Sequence, residues 1–171
     1  GPSIEALAAS AGLRVALRSA APAIRPDTEI YIADTVGELG LFYRLSPVAF
    51  IGGTLIPHGG QNLLEAAKLG SAVIHGPHMT NFTEIADEMR IAGATETIED
   101  SAGLAPALAR LLDDPALHAH RIATASRVAE AKDGILDNVM RELAPFVAKI
   151  GNTPDTATGA SDSTAARHAS A

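Results

Sequence analysis

Along the chain, short apolar runs alternate with segments whose apolar residues recur at helical spacing. Residues 4–11 predict a helix closed by Gly12, residues 13–17 and 29–33 predict strands, and residues 20–27 form a proline-bearing loop between those strands. Residues 37–45 predict a second helix, which Pro47 ends before a strand over 48–51. A glycine-rich loop over 52–60 leads into a helix over 61–69 closed by Gly70, and a strand follows over 72–74. A helix over 82–92 closed by Gly93 and a short strand over 95–98 complete the alternation. Beyond it only helices are expected. One covers 102–112 with Leu104, Leu108, Leu111 and Leu112 on one face, another starts at Pro115, and a third covers 135–146. The strands are mostly apolar rather than alternating in polarity, which implies a parallel sheet covered by helices on both faces. The expected fold class is a Rossmann-like α/β domain.

The chain has 171 residues, about one ordinary domain, and 47% of them are hydrophobic. That is enough for a substantial core, which Ala, Leu, Ile and Val must fill because only 4% are aromatic and Trp is absent. A formal charge of −7 argues against broad electrostatic binding to nucleic acid or to anionic lipid. The absence of cysteine excludes disulfides, thiolate metal ligation and a Cys nucleophile. Three parts are expected: residues 1–3 as the remnant of a cleaved tag, 4–150 as the folded domain, and 151–171 as a disordered tail. The last has no Leu, Val or aromatic residue to offset the entropy of ordering.

In open parallel sheets ligands bind beyond the carboxyl ends of the strands. Three loops have that position: 33–39, 51–65 and 74–82. Gly52-Gly53 and Gly59-Gly60 let a backbone approach a ligand and offer amide donors, or they simply make turns. Neither a dinucleotide fingerprint nor a P-loop follows them, which weakens a nicotinamide-dehydrogenase reading. Asn62 and Glu65 stand three apart at a helix start. From spacing alone a capping box is the stronger reading, and the other is a carboxylate that accepts from two ribose hydroxyls. Glu38 suits the first turn of a helix or a ligand contact equally. His75 and His78 have metal-compatible spacing but no evident third ligand, so a hydrogen-bonding role in the loop is favoured. Asn81 is expected to cap the helix over 82–92.

Four stretches occur in an order and spacing that resemble one family: Asp34-Thr35-Val36-Gly37-Glu38-Leu39, Phe50-Ile51-Gly52-Gly53-Thr54-Leu55, Gly59-Gly60-Gln61-Asn62-Leu63-Leu64-Glu65, and Gly76-Pro77-His78 with Asn81-Phe82. From about residue 4 to 147 the chain resembles the C-terminal half of the 3-deoxy-D-manno-oct-2-ulosonic acid (Kdo) transferases of Gram-negative bacteria. The resemblance implies the C-terminal half of a GT-B glycosyltransferase that moves Kdo from CMP-Kdo to a lipid A precursor. It further implies inversion of the anomeric centre, no bound metal and no cofactor, at the cytoplasmic face of the inner membrane. Val36, Gly37, Glu38, Asn62, Leu63, Leu64 and Glu65 would contact CMP, Glu65 at the ribose. Gly52, Gly53, Gly59, Gly60, Gln61 and His78 are further donor contacts to consider. The catalytic base, the membrane contact and the acceptor site are implied to lie in an N-terminal domain. On that basis the chain alone is expected to be soluble and inactive, and its domain is expected to lack its first strand. Two positions depart from the family pattern: Thr54 stands where Ser is usual and Gln61 where His is common. The competing readings are the half of a GT-B enzyme that uses a UDP-sugar and a non-catalytic nucleotide-binding module.

Overall fold

The computed structural model describes residues 1–20 and 24–150. The expected tail over 151–171 and part of the loop over 20–27 lie outside the described residues. Residues 1–131 form one compact unit that holds every strand among the described residues; a second begins at Lys132.

Within the first unit, helix α1 (Pro2–Ser10) precedes strands β1 (Val15–Leu17) and β2 (Ile30–Ile32). The helix starts at Pro2, inside the expected tag remnant, because proline fits the first turn, where its missing N–H is not needed. Helix α2 (Leu39–Leu45), strand β3 (Val48–Phe50), helix α3 (Leu63–Lys68) and strand β4 (Ala72–His75) follow. Then come helix α4 (Thr83–Ile91), strand β5 (Thr95–Thr97) and helix α5 (Leu104–Asp113). Asp100 starts the 3₁₀ turn before α5 by accepting from the amides of Ala102 and Gly103 at 2.9 and 3.1 Å.

All strand pairs are parallel, in register Val15↔Ile30, Val48↔Ala72 and Val73↔Thr95. They form two sheets, β1-β2 and β3-β4-β5, where a single sheet was expected. Among the described residues no ladder joins β2 to β3, so the hydrogen bonding is interrupted there.

The larger sheet is covered on both faces, as the apolar strands require. Ala49, Ile51 and Val73 face a core built with Leu63, Ala66 and Ala67 of α3 and Met89 of α4. The intervening residues Ala72 and Ile74 face the other way, onto Ala107 and Leu111 of α5. All four residues of β4 are buried. Gly12, Gly70 and Gly93 follow their helices with positive φ, as expected.

The separate helices expected from Pro115 and over 135–146 are instead one helix, α6 (Pro115–Ile150), of 36 residues. Ala129, Glu130, Ala131 and Lys132 are good helix formers, and one interior glycine, Gly134, costs only about 1 kcal/mol against them. No helix among the described residues is long and apolar enough to cross a membrane.

Candidate functional site

The carboxyl end of β3 opens into a crevice of about 360 Å³. Leu39 and Tyr43 of α2 form one wall, Phe50, Ile51 and Gly52 the floor, and Gln61, Asn62 and Glu65 the other wall. Its position is the one in which this kind of sheet holds ligands.

Asn62 is the N-cap of α3, its side-chain oxygen accepting from the Leu64 amide at 3.0 Å. Glu65 does not complete the expected capping box. Its carboxylate returns no hydrogen bond to Asn62 and has no partner among the described residues, although the residue is half-buried. Asn62 already holds the chain in its entry geometry, so the box is unnecessary and Glu65 lines the crevice. Leu63 is fully buried in the core, Leu64 is half-buried against it with its amide given to Asn62, and neither lines the crevice.

The glycines divide into two groups. Gly52 has open space around a Cβ position and lines the crevice. Gly53, Gly59 and Gly60 have protein where a side chain would be. A Cβ would meet the His58 ring at 2.8 Å, the Asn81 side-chain carbonyl carbon at 2.7 Å and Met79 Sδ at 2.6 Å, respectively. They are glycines because loop 52–60 folds tightly on itself and on loop 76–82. Asn81 packs there against Gly59 instead of capping α4, whose N-cap is Phe82 with no side-chain bond. Thr54 is the centre of this packing. Its buried hydroxyl donates to the Ile51 carbonyl at 2.6 Å and accepts from the Gly76 amide at 2.8 Å.

Val36 and Gly37 are exposed on the loop before α2, and Glu38 stands at its N-cap. Arg18, the residue after β1, grips the Glu38 carboxylate through Nε at 3.1 Å and Nη2 at 2.7 Å. The Thr35 hydroxyl donates to the same carboxylate. These bonds, Arg18 first, hold the Glu38 carboxyl down to about 2. Beside them Asp34 accepts from the Ser19 amide and hydroxyl at 2.9 and 2.7 Å, so the ends of β1 and β2 are tied twice.

A carboxyl held low in the folded state stabilises it above the unfolded-state value and loses that contribution as pH falls. For Glu38 the window runs from its ordinary 4.5 down to about 2. In Arg18→Met the thermal midpoint is expected to change less across that window than in wild type, since Glu38 then keeps only its Thr35 bond and titrates closer to its unfolded value. Scanning calorimetry from pH 2 to 6 checks this, and superimposable wild-type and variant slopes would refute it.

His75 is buried, and because a carbonyl only accepts, its Nδ1 donates to the Gly76 oxygen at 2.8 Å. Its Nε2 lies 3.4 Å from the hydroxyls of Thr95 and Thr97 and borders a second cavity, of about 300 Å³, beside Thr80, Thr83 and Arg90. His78 lines neither cavity. Among the described residues no three His, Asp or Glu side chains gather in a metal-holding group.

Arg18 and Tyr43 carry no motif in the sequence. Arg18 could have been found from its place directly after a predicted strand, and Tyr43 from its i+4 spacing to Leu39 on α2.

Parallel strands crossed by helices, with a crevice at their carboxyl ends, define a Rossmann-like α/β domain of the kind that makes up half of a GT-B glycosyltransferase. No protein-family model matches the chain. A solved structure described as the C-terminal CMP-Kdo binding domain of WaaA from Acinetobacter baumannii superposes with a TM-score of 0.72 at 32% identity, covering 74% of this chain and 66% of that one. A 3-deoxy-D-manno-octulosonic acid transferase of Bordetella pertussis is 38% identical over 108 residues, 63% of this chain and 25% of that protein. A probable mitochondrial transferase of the same name from Arabidopsis thaliana is 36% identical over 137 residues, 77% of this chain and 31% of that protein. Sequence and fold together place the chain with the C-terminal domain of the Kdo transferases. It spans about a quarter to a third of the length of those curated relatives.

Proposed function

We propose that this chain is the donor-binding part of a glycosyltransferase that moves Kdo from CMP-Kdo to a lipid A precursor, with inversion and without a bound metal, at the cytoplasmic face of the inner membrane. The observation that carries the reading is the Glu65 carboxylate, unpartnered among the described residues in a crevice at the strand ends. An ionised carboxylate accepts two hydrogen bonds at once and cannot donate, which suits a vicinal diol such as that of ribose. The similarity to a CMP-Kdo binding domain supplies the nucleotide.

On this reading Gly52, Gln61, Asn62 and Glu65 hold the nucleoside. The Val36–Glu38 loop offers its backbone, because the Glu38 carboxylate is already engaged by Arg18 and Thr35. The base that activates the acceptor belongs to another part of the enzyme, so the chain alone grips the donor and transfers nothing. Calorimetric titration with CMP, UMP and NAD tests the reading. Saturable binding of CMP in preference to the other two is expected, whereas a preference for UMP or NAD, or no CMP binding, would overturn it.

A further inference from the structure

Tyr43 shares the crevice with Glu65. Its backbone is held from behind, where the single Ser71 hydroxyl proton is shared between the Tyr43 carbonyl at 2.7 Å and the Ser46 carbonyl at 2.9 Å. The end of α2 is thereby tied to the start of β4, and the ring is held at the crevice wall, partly packed against Leu63 and its neighbours in the core. The phenol oxygen has no hydrogen-bond partner among the described residues, yet it is not a buried orphan. The oxygen is therefore open to solvent, on a side chain that lines the crevice. Burial and then the charge of Glu65 push the phenol up from its ordinary value, so it keeps its proton and remains a donor.

The two groups are chemically complementary. A carboxylate only accepts, so hydroxyls held by Glu65 must donate to it, and their own lone pairs then need a donor. The phenol beside it is such a donor. We propose that Tyr43 is a specificity-determining residue of the crevice: its hydroxyl donates to one of the two ribose hydroxyls that Glu65 holds, so the pair reads a ribose diol and discriminates against a sugar that lacks that hydroxyl. This rests on the nucleotide-binding reading above.

The test is calorimetric titration of wild type, Tyr43→Phe and Glu65→Ala with CMP, 2′-deoxy-CMP and 3′-deoxy-CMP, with thermal midpoints taken on the same samples. Tyr43→Phe is expected to melt like wild type and to bind CMP about fivefold more weakly, the value of one neutral hydrogen bond. It should also bind one of the two deoxy nucleotides with wild-type affinity, because the partner of the phenol is missing from that ligand. Glu65→Ala should weaken all binding and flatten discrimination at both positions. An unchanged CMP affinity in Tyr43→Phe, or an equal loss for all three nucleotides, would overturn the role of Tyr43 while leaving that of Glu65 standing. Wild type that binds no CMP would overturn the nucleotide reading and this inference with it.

Discussion

Glu65→Ala is expected to weaken CMP binding on the order of 100-fold, which is two charge-assisted hydrogen bonds lost from one carboxylate. Stability should scarcely change. The cap of α3 belongs to Asn62, whose bond to the Leu64 amide does not involve Glu65. Leu63, Ala66 and Ala67, which anchor the helix, are untouched. What Glu65 gives the fold is the attraction of a first-turn acid for the helix dipole, about 0.3–1 kcal/mol. Binding and melting should therefore separate: titration of the variant shows the loss, and its thermal midpoint stays within a few degrees of wild type. An affinity within threefold of wild type would reduce Glu65 to a helix-terminus acid.

The second large effect concerns the fold. In Gly76→Ala the new methyl group lies 2.6 Å from the Thr54 carbonyl carbon, closer still to the oxygen, and 2.9 Å from Leu55 Cδ2. The obstruction is backbone and cannot rotate away. On one side Gly76 follows β4, which is buried throughout; on the other Thr54 is itself fully buried. The segments must separate, which stretches the bond from the Gly76 amide to the Thr54 hydroxyl. Overpacking together with a strained buried hydrogen bond costs about 2–4 kcal/mol, or roughly 5–15 °C in the thermal midpoint of a domain this size. Gly52→Ala is the control, since it meets nothing within 4 Å and should melt like wild type. Scanning calorimetry of both variants decides the matter; a shift of less than about 2 °C for Gly76→Ala would show that the loops give way freely.

Much of this architecture is legible in the chain because local signals agree with it. The apolar runs at 48–51 and 72–74 suit strands packed on both faces; β4 is buried throughout and β3 is partly buried. Gly12, Gly70 and Gly93 mark helix ends. Asn62 caps the helix it precedes. What is not legible depends on partners distant in sequence. Arg18 and Glu38 are 20 residues apart, and only the parallel pairing of β1 with β2 brings the strand ends together. Glycine pairs look identical whether ligand or protein fills the space beside them. Here protein fills it at Gly53, Gly59 and Gly60, and only Gly52 lines the crevice. The Asn81 side chain was a plausible cap by type and spacing, but it went to the Gly59 contact. The long helix through Gly134 runs against local punctuation, because its flanking residues outweigh one glycine.

The two bonds of Thr54 set which side chains that position can accept. A single oxygen there both gives a proton to the Ile51 carbonyl and takes one from the Gly76 amide. Valine has the same shape and can do neither, and an amide or carboxylate side chain is too long for a site with no exposed surface. Serine keeps both bonds and leaves out one methyl. Serine and threonine are thus the hydroxyl side chains that fit here, and the exchange between them is neutral in hydrogen bonds, differing only in how completely the loop is filled.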